Sequence, residues 1–407
     1  MFNMFKKEVP VVTNPEKIEE LLSRGVEDVF VKESLVKKLS SGERLRIKLG
    51  FDPTGSKIHI GRAVVLHKLR AFQDMGHTIV FLVGDFTAQI GDPSDKLEKR
   101  PMLRKEKISE NLKDYKKQVG KIIDLSRAEF HFNSKWLSKL GFQEISELAE
   151  SFSVQQMSAR RNFKDRFEKG QDVSLREFLY PLMQGYDSVA LKADIEIGGF
   201  DQLFNLKAGR TIQKHYGMKE QDVLTIQMLE GTDGRKMSTS WGNVINITDE
   251  ENDMFGKLMS VKDELIERYF LLCTKLSLKE IETIHNTLEN GENPKNVKLR
   301  LAHTVVEMYH GKELADKAQK NWENTFSKGN LPEDIQTVQI KKSARLVEVL
   351  LEAGLVESKG DWRRLVSQNG ITNADTGEKI TDENAEVGEN ISLKIGKRRF
   401  VKIEIKG

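Results

Sequence analysis

The stretch Arg44–Phe72, RLRIKLGFDPTGSKIHIGRAVVLHKLRAF, holds two periodicities joined by a turn. Leu45, Ile47 and Leu49 alternate with Arg44, Arg46 and Lys48, the period-2 pattern of a strand with one buried face. Gly50 ends the strand, and Pro53 and Gly55 make a turn. Near Gly61 the spacing changes, and Val65, Leu69 and Phe72 recur at helical intervals until Gly76. Strand, loop and helix follow one another, with His59 and Gly61 where the helix begins. The first turn of a helix leaves backbone N–H groups unpaired, and a glycine lets an anion approach them. A nucleotide phosphate suits such a junction. Taken alone, His59 and Gly61 are better explained by an ordinary strand–helix connection.

The flanking sequence extends the pattern. His77–Val83 is a continuous apolar run ending in Gly84–Asp85, as expected of a strand buried on both faces of a parallel sheet. Strand, helix, strand is the unit of a doubly wound α/β domain, in which ligands sit at the carboxyl ends of the strands. Gly50, Asp85 and the turn Gly91–Asp92–Pro93–Ser94 all follow strand ends. Upstream, residues 14–40 read as helix capped by Asn14 and interrupted at Gly25. Downstream, Lys96–Lys107 reads as a charged loop, and 106–170 as mostly helical with Trp136 and Phe142 as buried anchors. Strand-like residues return at Ala193–Ile197, before Gly198–Gly199–Phe200–Asp201–Gln202, and at Val223–Met228, before GTDGRKMSTS at Gly231–Ser240. From Asp249 to about Gly329 the pattern is helical.

These shifts predict a doubly wound α/β domain over about 1–245, mostly helical between its halves. A helical domain over 246–330, a linker at 331–341 and a small α+β module over 342–407 follow. In that module, helices at Ser343–Leu351 and Asp361–Gln368 precede strands closing at Phe400–Ile405. Arg363–Arg364 and Lys397–Arg398–Arg399 would give it a basic surface, although charge clusters of this kind are usually solvated faces.

Composition sets the limits. The 407 residues carry a net charge of +3, with 38% hydrophobic and 31% charged residues, as in a soluble globular protein of two or three domains. That balance permits nucleic-acid binding without arguing for it. Cys273 is the single cysteine, which excludes an intramolecular disulfide and a cysteine metal cluster and suits a reducing, cytoplasmic setting. Lys6–Lys7 stands where a signal peptide needs its apolar core. No apolar run approaches the roughly 20 residues of a membrane span, and no metal-ligand spacing is visible.

Two signatures, His59–Ile60–Gly61–Arg62 and Lys236–Met237–Ser238–Thr239–Ser240, resemble the His-Ile-Gly-His and Lys-Met-Ser-Lys-Ser motifs of class I aminoacyl-tRNA synthetases. The intervening GFDPT, GDPS, YPLMQGYD and IGGFDQ look like the bacterial tyrosyl-tRNA synthetase family, and Lys342–Gly407 is similar to its small RNA-binding domain of the alpha-L type. The resemblance spans nearly the whole chain and implies a Rossmann-type class I catalytic domain over 1–245, with a helical insertion at about 106–175. It implies activation of tyrosine by ATP with Mg²⁺, transfer to tRNA(Tyr), and homodimers built through the insertion around 115–175. It assigns Thr54, His59, Lys236, Lys96 and Arg100 to the departing phosphates. Gly50, Asp52, Gly61, Arg62, Gly199, Met237, Ser238 and Thr239 are assigned to ATP. Asp201 and Gln202 approach the adenylate, and Asp92, Tyr180 and Gln184 hold the substrate α-amino group. Asp187 accepts the phenolic hydroxyl. Tyr180, Gln184 and Asp187 fall at i, i+4 and i+7, one face of one helix, and a polar face directed into a core is better explained by a ligand than by packing.

Departures are local. Arg62 replaces the second histidine of the first motif, Thr239 the second lysine of the later one, and Phe200 a small hydroxyl residue. Lys48 stands where many members carry a tyrosine that contacts the substrate hydroxyl, so recognition of that hydroxyl rests mainly on Asp187. Arg62 and Thr239 leave a second reading, a non-catalytic RNA-binding paralogue. A ligase for another aromatic amino acid is a third, opposed by Asp187.

Overall fold

Val80, Phe81, Leu82 and Val83 are all buried, and the strand they form, β3 (Thr78–Val83), lies inside a six-stranded sheet. The computed structural model describes residues 9–94, 103–238, 241–327, 335–340, 344–396 and 399–406. The chain divides into two units, Met1–Thr248 with Val261–Pro294, and Asp249–Ser260 with Lys295–Gly407.

In the first unit, β1 (Val26–Phe30), β2 (Arg46–Phe51), β3, β4 (Ala128–Phe132), β5 (Ile195–Gly199) and β6 (Asp222–Ile226) form a sheet of order β1-β6-β5-β2-β3-β4. Every pairing is parallel except β1 with β6. β1 corrects the expectation of helix over residues 14–40. Gly25 (φ +62°) and Val31 (φ +63°) turn the backbone on either side of Val26–Phe30, separating helix α1 (Pro15–Ser23) from α2 (Lys32–Ser40). β4 likewise interrupts the stretch 106–170.

β2 is expected to bury one face and instead buries both, with helices Ile60–Asp74 and Leu175–Leu191 packed against it. Ile47, Lys48 and Leu49 are all inaccessible to solvent. Arg46 is held by a bidentate pair with Glu129 on β4, at 2.7 and 2.9 Å. Helix α3 (Ile60–Asp74) presses Ala63, Leu66, Leu69 and Phe72 onto the sheet unit's core. Gly76 (φ +89°) follows the helix end, and a Cβ there would meet the Pro10 carbonyl oxygen. The rings of Phe51, Phe81 and Phe130 form a row, with centroids 5.8 and 5.0 Å apart.

Two further expectations change. Phe142 is 87% exposed rather than a buried anchor, and Trp136 is only half-buried, packed against Val80, Leu82 and Leu191 with its indole N–H donated to Asp187. The helical stretch 246–330 is shared between units. Residues 261–294 belong with the sheet, where the Tyr269 hydroxyl donates to the Glu230 carbonyl at 2.8 Å and Arg24 donates to the Thr274 carbonyl at 2.8 Å.

In the second unit, helix Glu251–Met259 packs against Lys312–Ser327. β7 (Gln336–Ile340), β8 (Ile371–Asn373), β9 (Ile391–Ile395) and β10 (Arg399–Ile405) make a sheet of order β7-β10-β9-β8. β7 lies inside the expected linker; the part of 331–341 outside β7 and Ile335 is not among the described residues. Val338 and Ile340 recruit it, since both pack on the core of Leu350, Trp362, Ile371, Leu393, Val401 and Ile403. Arg363 and Arg364 are exposed, paired with Glu383 and Asp361 respectively. Arg399 turns inward to the Leu355 carbonyl, and Lys397 and Arg398 lie outside the described residues.

Phe81→Ala removes the middle ring of the aromatic row. It is expected to destabilise the sheet unit by roughly 3–5 kcal/mol, read as a lower urea midpoint for the full-length chain. A loss below about 1 kcal/mol would place the row outside the core.

Candidate active site

A cleft of about 1070 Å³ opens where β2 and β5 run side by side. The chain leaves β2 towards β3 on one side and β5 towards β6 on the other, so the carboxyl ends of these two strands diverge and leave a crevice. Every candidate residue within the described part of the chain lines it: Lys48, Gly50, Asp52, Thr54, His59, Gly61, Arg62, Asp92, Tyr180, Gln184, Asp187, Gly199, Asp201, Gln202, Lys236, Met237 and Ser238. Lys96, Arg100 and Thr239 lie outside the described residues.

The two signatures meet at one end. His59 caps α3, with its Nδ1 accepting from the Arg62 backbone N–H at 3.3 Å. That bond leaves Nε2 as the protonated nitrogen of a neutral ring, a donor without charge. Burial, aided by the Arg62 guanidinium, lowers the His59 pKa to about 3. A Cβ on Gly61 would sit 3.1 Å from both His59 Nδ1 and Met237 Sδ, so glycine is what lets the second signature lie against the first. The backbone fixes this register: Ile60 donates to the Ile245 carbonyl at 2.8 Å, and Ile247 to the Ile58 carbonyl at 2.9 Å. Asn243 bonds to Asp233, to the Lys236 carbonyl and to the Ser238 N–H, at 2.8–3.1 Å. Arg62 donates to Thr54 Oγ1 at 2.9 Å, its guanidinium 5.6 Å from the Phe51 ring centre. Lys236 Nζ stands 3.9 Å from Asp201.

The other end is a polar floor. Helix Leu175–Leu191, opened by the Ser174–Glu177 capping box, sets Tyr180, Gln184 and Asp187 on one face. The Tyr180 hydroxyl donates to Asp52 at 2.9 Å, and Asp52 also accepts from Thr87 at 2.8 Å. Asp92 accepts from the Gln202 amide at 2.7 Å and from the Ser94 N–H at 2.9 Å. Buried Asp187 accepts from the Trp136 indole at 2.7 Å and from Asn133 at 3.2 Å. Burial raises its pKa to about 7, against the pull of Lys48 and the two donors. Lys48 differs from expectation. Its three N–H bonds go to Glu196 Oε1 (2.9 Å), Ser188 Oγ (2.8 Å) and the Gln184 carbonyl (3.0 Å), so the protein uses all of them.

Several residues in this arrangement carry no signal in the local sequence: Asn133, Glu196, Ser188, Asn243 and Gly84, where any Cβ would overlap Asp52 and Thr87. Trp136 was visible only as a large apolar residue. Among the described residues, no group of three or more His, Cys, Asp or Glu could hold a metal ion.

The family model for class I tRNA synthetases (W and Y) matches residues 40–327. The chain belongs to that family. Within it, similar proteins are bacterial tyrosine–tRNA ligases. That of Thermotoga maritima is 44% identical over 394 residues, covering 96% of this chain and 98% of its own. That of Aquifex aeolicus is 42% identical over 393 residues, covering 96% and 99%. Among solved structures, a C-terminally truncated mitochondrial tyrosyl-tRNA synthetase of Aspergillus nidulans superposes with a TM-score of 0.65 at 24% identity, over 76% of this chain and 94% of that one. The tyrosyl-tRNA synthetase of Archaeoglobus fulgidus, complexed with L-tyrosine, gives 0.59 at 22% identity, over 75% and 99%. At these identities the structures share the fold.

Histidine in the unfolded chain titrates near 6.5, whereas His59 stays neutral in the folded protein down to about 3. Its neutral burial therefore contributes stability fully above about pH 6.5, and that contribution is lost as the pH falls towards about 3. Nitrogen-15 NMR of the histidine rings is expected to show His59 neutral, protonated at Nε2, throughout pH 5–8. A titration midpoint near 6.5 would contradict the capped, neutral ring.

Proposed function

We infer that the chain acts as a tyrosine–tRNA ligase. A tyrosine carboxylate oxygen attacks the ATP α-phosphorus, the bond to the β-phosphate oxygen breaks, and pyrophosphate leaves with the electron pair. A hydroxyl of the terminal tRNA adenosine then attacks the acyl carbon and AMP departs. Neither step needs a protein nucleophile; positioning and charge stabilisation on the phosphate oxygens suffice. The observation that carries the reading is Asp187, a buried carboxylate at the cleft floor held by Trp136 and Asn133.

Asp187 accepts the phenolic hydrogen. Asp92, Tyr180 and Gln184 hold the α-ammonium, and Asp201 and Gln202 the adenylate. Gly50, Gly61 and Gly199 admit the nucleotide to the backbone, with Asp52 fixing Tyr180 beside it. Thr54, His59 and Lys236 act on the departing phosphates. Arg62, bonded to Thr54, adds a fixed cation with a planar donor fork suited to phosphate. Met237 and Ser238 complete the nucleotide side, and the resemblance adds Lys96, Arg100 and Thr239. Mg²⁺ enters on the ATP phosphates as part of the substrate. The names of the curated relatives do not favour the non-catalytic alternative.

Exposed Phe142 (87%), Leu175 (82%) and Val154 (74%) support a homodimer through the insertion. The C-terminal unit supports tRNA contact, and the single cysteine a cytoplasmic setting. No described helix is long and apolar enough to cross a membrane.

Tyrosine-dependent ATP–pyrophosphate exchange is expected, with phenylalanine and tryptophan inactive. A site that bonds a substrate hydroxyl rejects the analogue lacking it by roughly 10⁴–10⁵, the discrimination known for tyrosyl-tRNA synthetases. Asp187→Asn should lower kcat/KM for tyrosine at least about 10²-fold, as expected for losing a charge-assisted bond in a dry site. Exchange with phenylalanine instead of tyrosine would overturn the reading. Leu175→Asp with Phe142→Asp should halve the sedimentation mass; an unchanged mass would place the interface elsewhere.

A further inference from the structure

Below the amino-acid end of the cleft lies a charged layer that the reaction does not use. Lys48 and Glu196 are both 0% exposed and stand directly opposite each other on the neighbouring strands β2 and β5. Each is saturated. Lys48 gives its three hydrogens to Glu196, Ser188 and the Gln184 carbonyl. Glu196 Oε1 accepts from Lys48 and from the Gln184 amide (3.2 Å), and Oε2 from Ser188 (3.0 Å) and Gln221 (2.6 Å). Taking two charges out of water is expensive, and apolar residues of similar volume often replace such pairs at no loss of stability. Stability alone is a poor reason for placing this pair here.

Its connections give a better one. With its NH₂ bound to Glu196, the Gln184 carboxamide has its oxygen left as an acceptor, the polarity an α-ammonium requires. Asp187 lies one helical turn further along the same face. We propose that Lys48–Glu196 is a positioning pair for amino-acid selection: Glu196 orients the Gln184 oxygen toward the substrate ammonium, and the Lys48 charge favours the ionised form of Asp187 that accepts the phenolic hydrogen. The proposal rests on the tyrosine-ligase reading and deepens it. The groups facing Asp187 are Lys48 from β2, Glu196 from β5, Trp136 and Asn133 beyond β4, and Tyr180 on its own helix. Lys48 favours the carboxylate and Glu196 opposes it, Lys48 being the larger influence.

The test uses the full-length protein and the pH dependence of kcat/KM for tyrosine in pyrophosphate exchange. Glu196→Gln preserves volume and leaves Lys48 its acceptors; the double variant Lys48→Met with Glu196→Gln removes both charges without stranding either. Relative to wild type, the acid limb is expected to move to lower pH in Glu196→Gln and to higher pH in the double variant. KM for tyrosine should rise more than kcat falls in both. Each unit of upward shift should cut the tyrosine-to-phenylalanine preference roughly tenfold below the midpoint, because phenylalanine has no hydroxyl to report on Asp187. Folded variants whose acid limb stays put, or which lose kcat with KM intact, overturn the proposal. If the double variant does not fold, the direction of the Glu196→Gln shift decides. A wild-type chain inactive with tyrosine overturns the ligase reading itself, a result separable from either.

Discussion

The adjacency of β2 and β5 is the constraint on which the rest depends. These strands are joined not by a local crossover but across about 140 residues, and the sheet runs outward from them in opposite directions. Their diverging carboxyl ends create the cleft, and the loops that leave them, Gly50–Thr54 and Gly199–Gln202, line it. The Lys48–Glu196 pair lies on this seam. It ties the two strands to helix Leu175–Leu191 at the point where the amino-acid face is presented. Fold and site therefore share one set of bonds, so a change that loosens the seam is felt in the pocket.

Electrostatics separate the two ends of the cleft. The end where the two signatures meet holds its donors in defined places: His59 is neutral, Arg62 is anchored on Thr54, and Lys236 faces Asp201. At the cleft floor the carboxylates are already bound by named donors, Asp52 by Tyr180 and Thr87, Asp92 by Gln202 and Ser94, Asp187 by Trp136 and Asn133. Such preorganisation means the acceptors need not reorient when the substrate arrives. Arg62, a departure from the family motif, makes a defined bond inside the cleft.

Much of this was legible in the sequence, for local reasons. The β2–α3 junction announces itself through a change from period 2 to helical spacing, and Asp187 through its place on one helical face with Tyr180 and Gln184. The apolar run of β3 declares burial on both sides. What stayed hidden is short, polar or distant. β1 and β4 are five-residue strands with no fully buried position, and β7 is mostly polar and exposed. Phe142 looked like core because an exposed apolar residue carries the same local signal as a buried one. The alternation in β2 marked Lys48 as a solvent-facing residue. Its partner Glu196 is distant in sequence, and no local pattern reveals a buried pair of that kind.

A crystal structure of the protein with L-tyrosine bound tests the central claim most directly. The phenolic oxygen is expected at about 2.5–3.0 Å from the Asp187 carboxylate, with Gln184 Oε1 facing the ammonium and Lys48 still on Glu196. A phenolic oxygen bound by Lys48, or tyrosine seated away from Asp187, would contradict it.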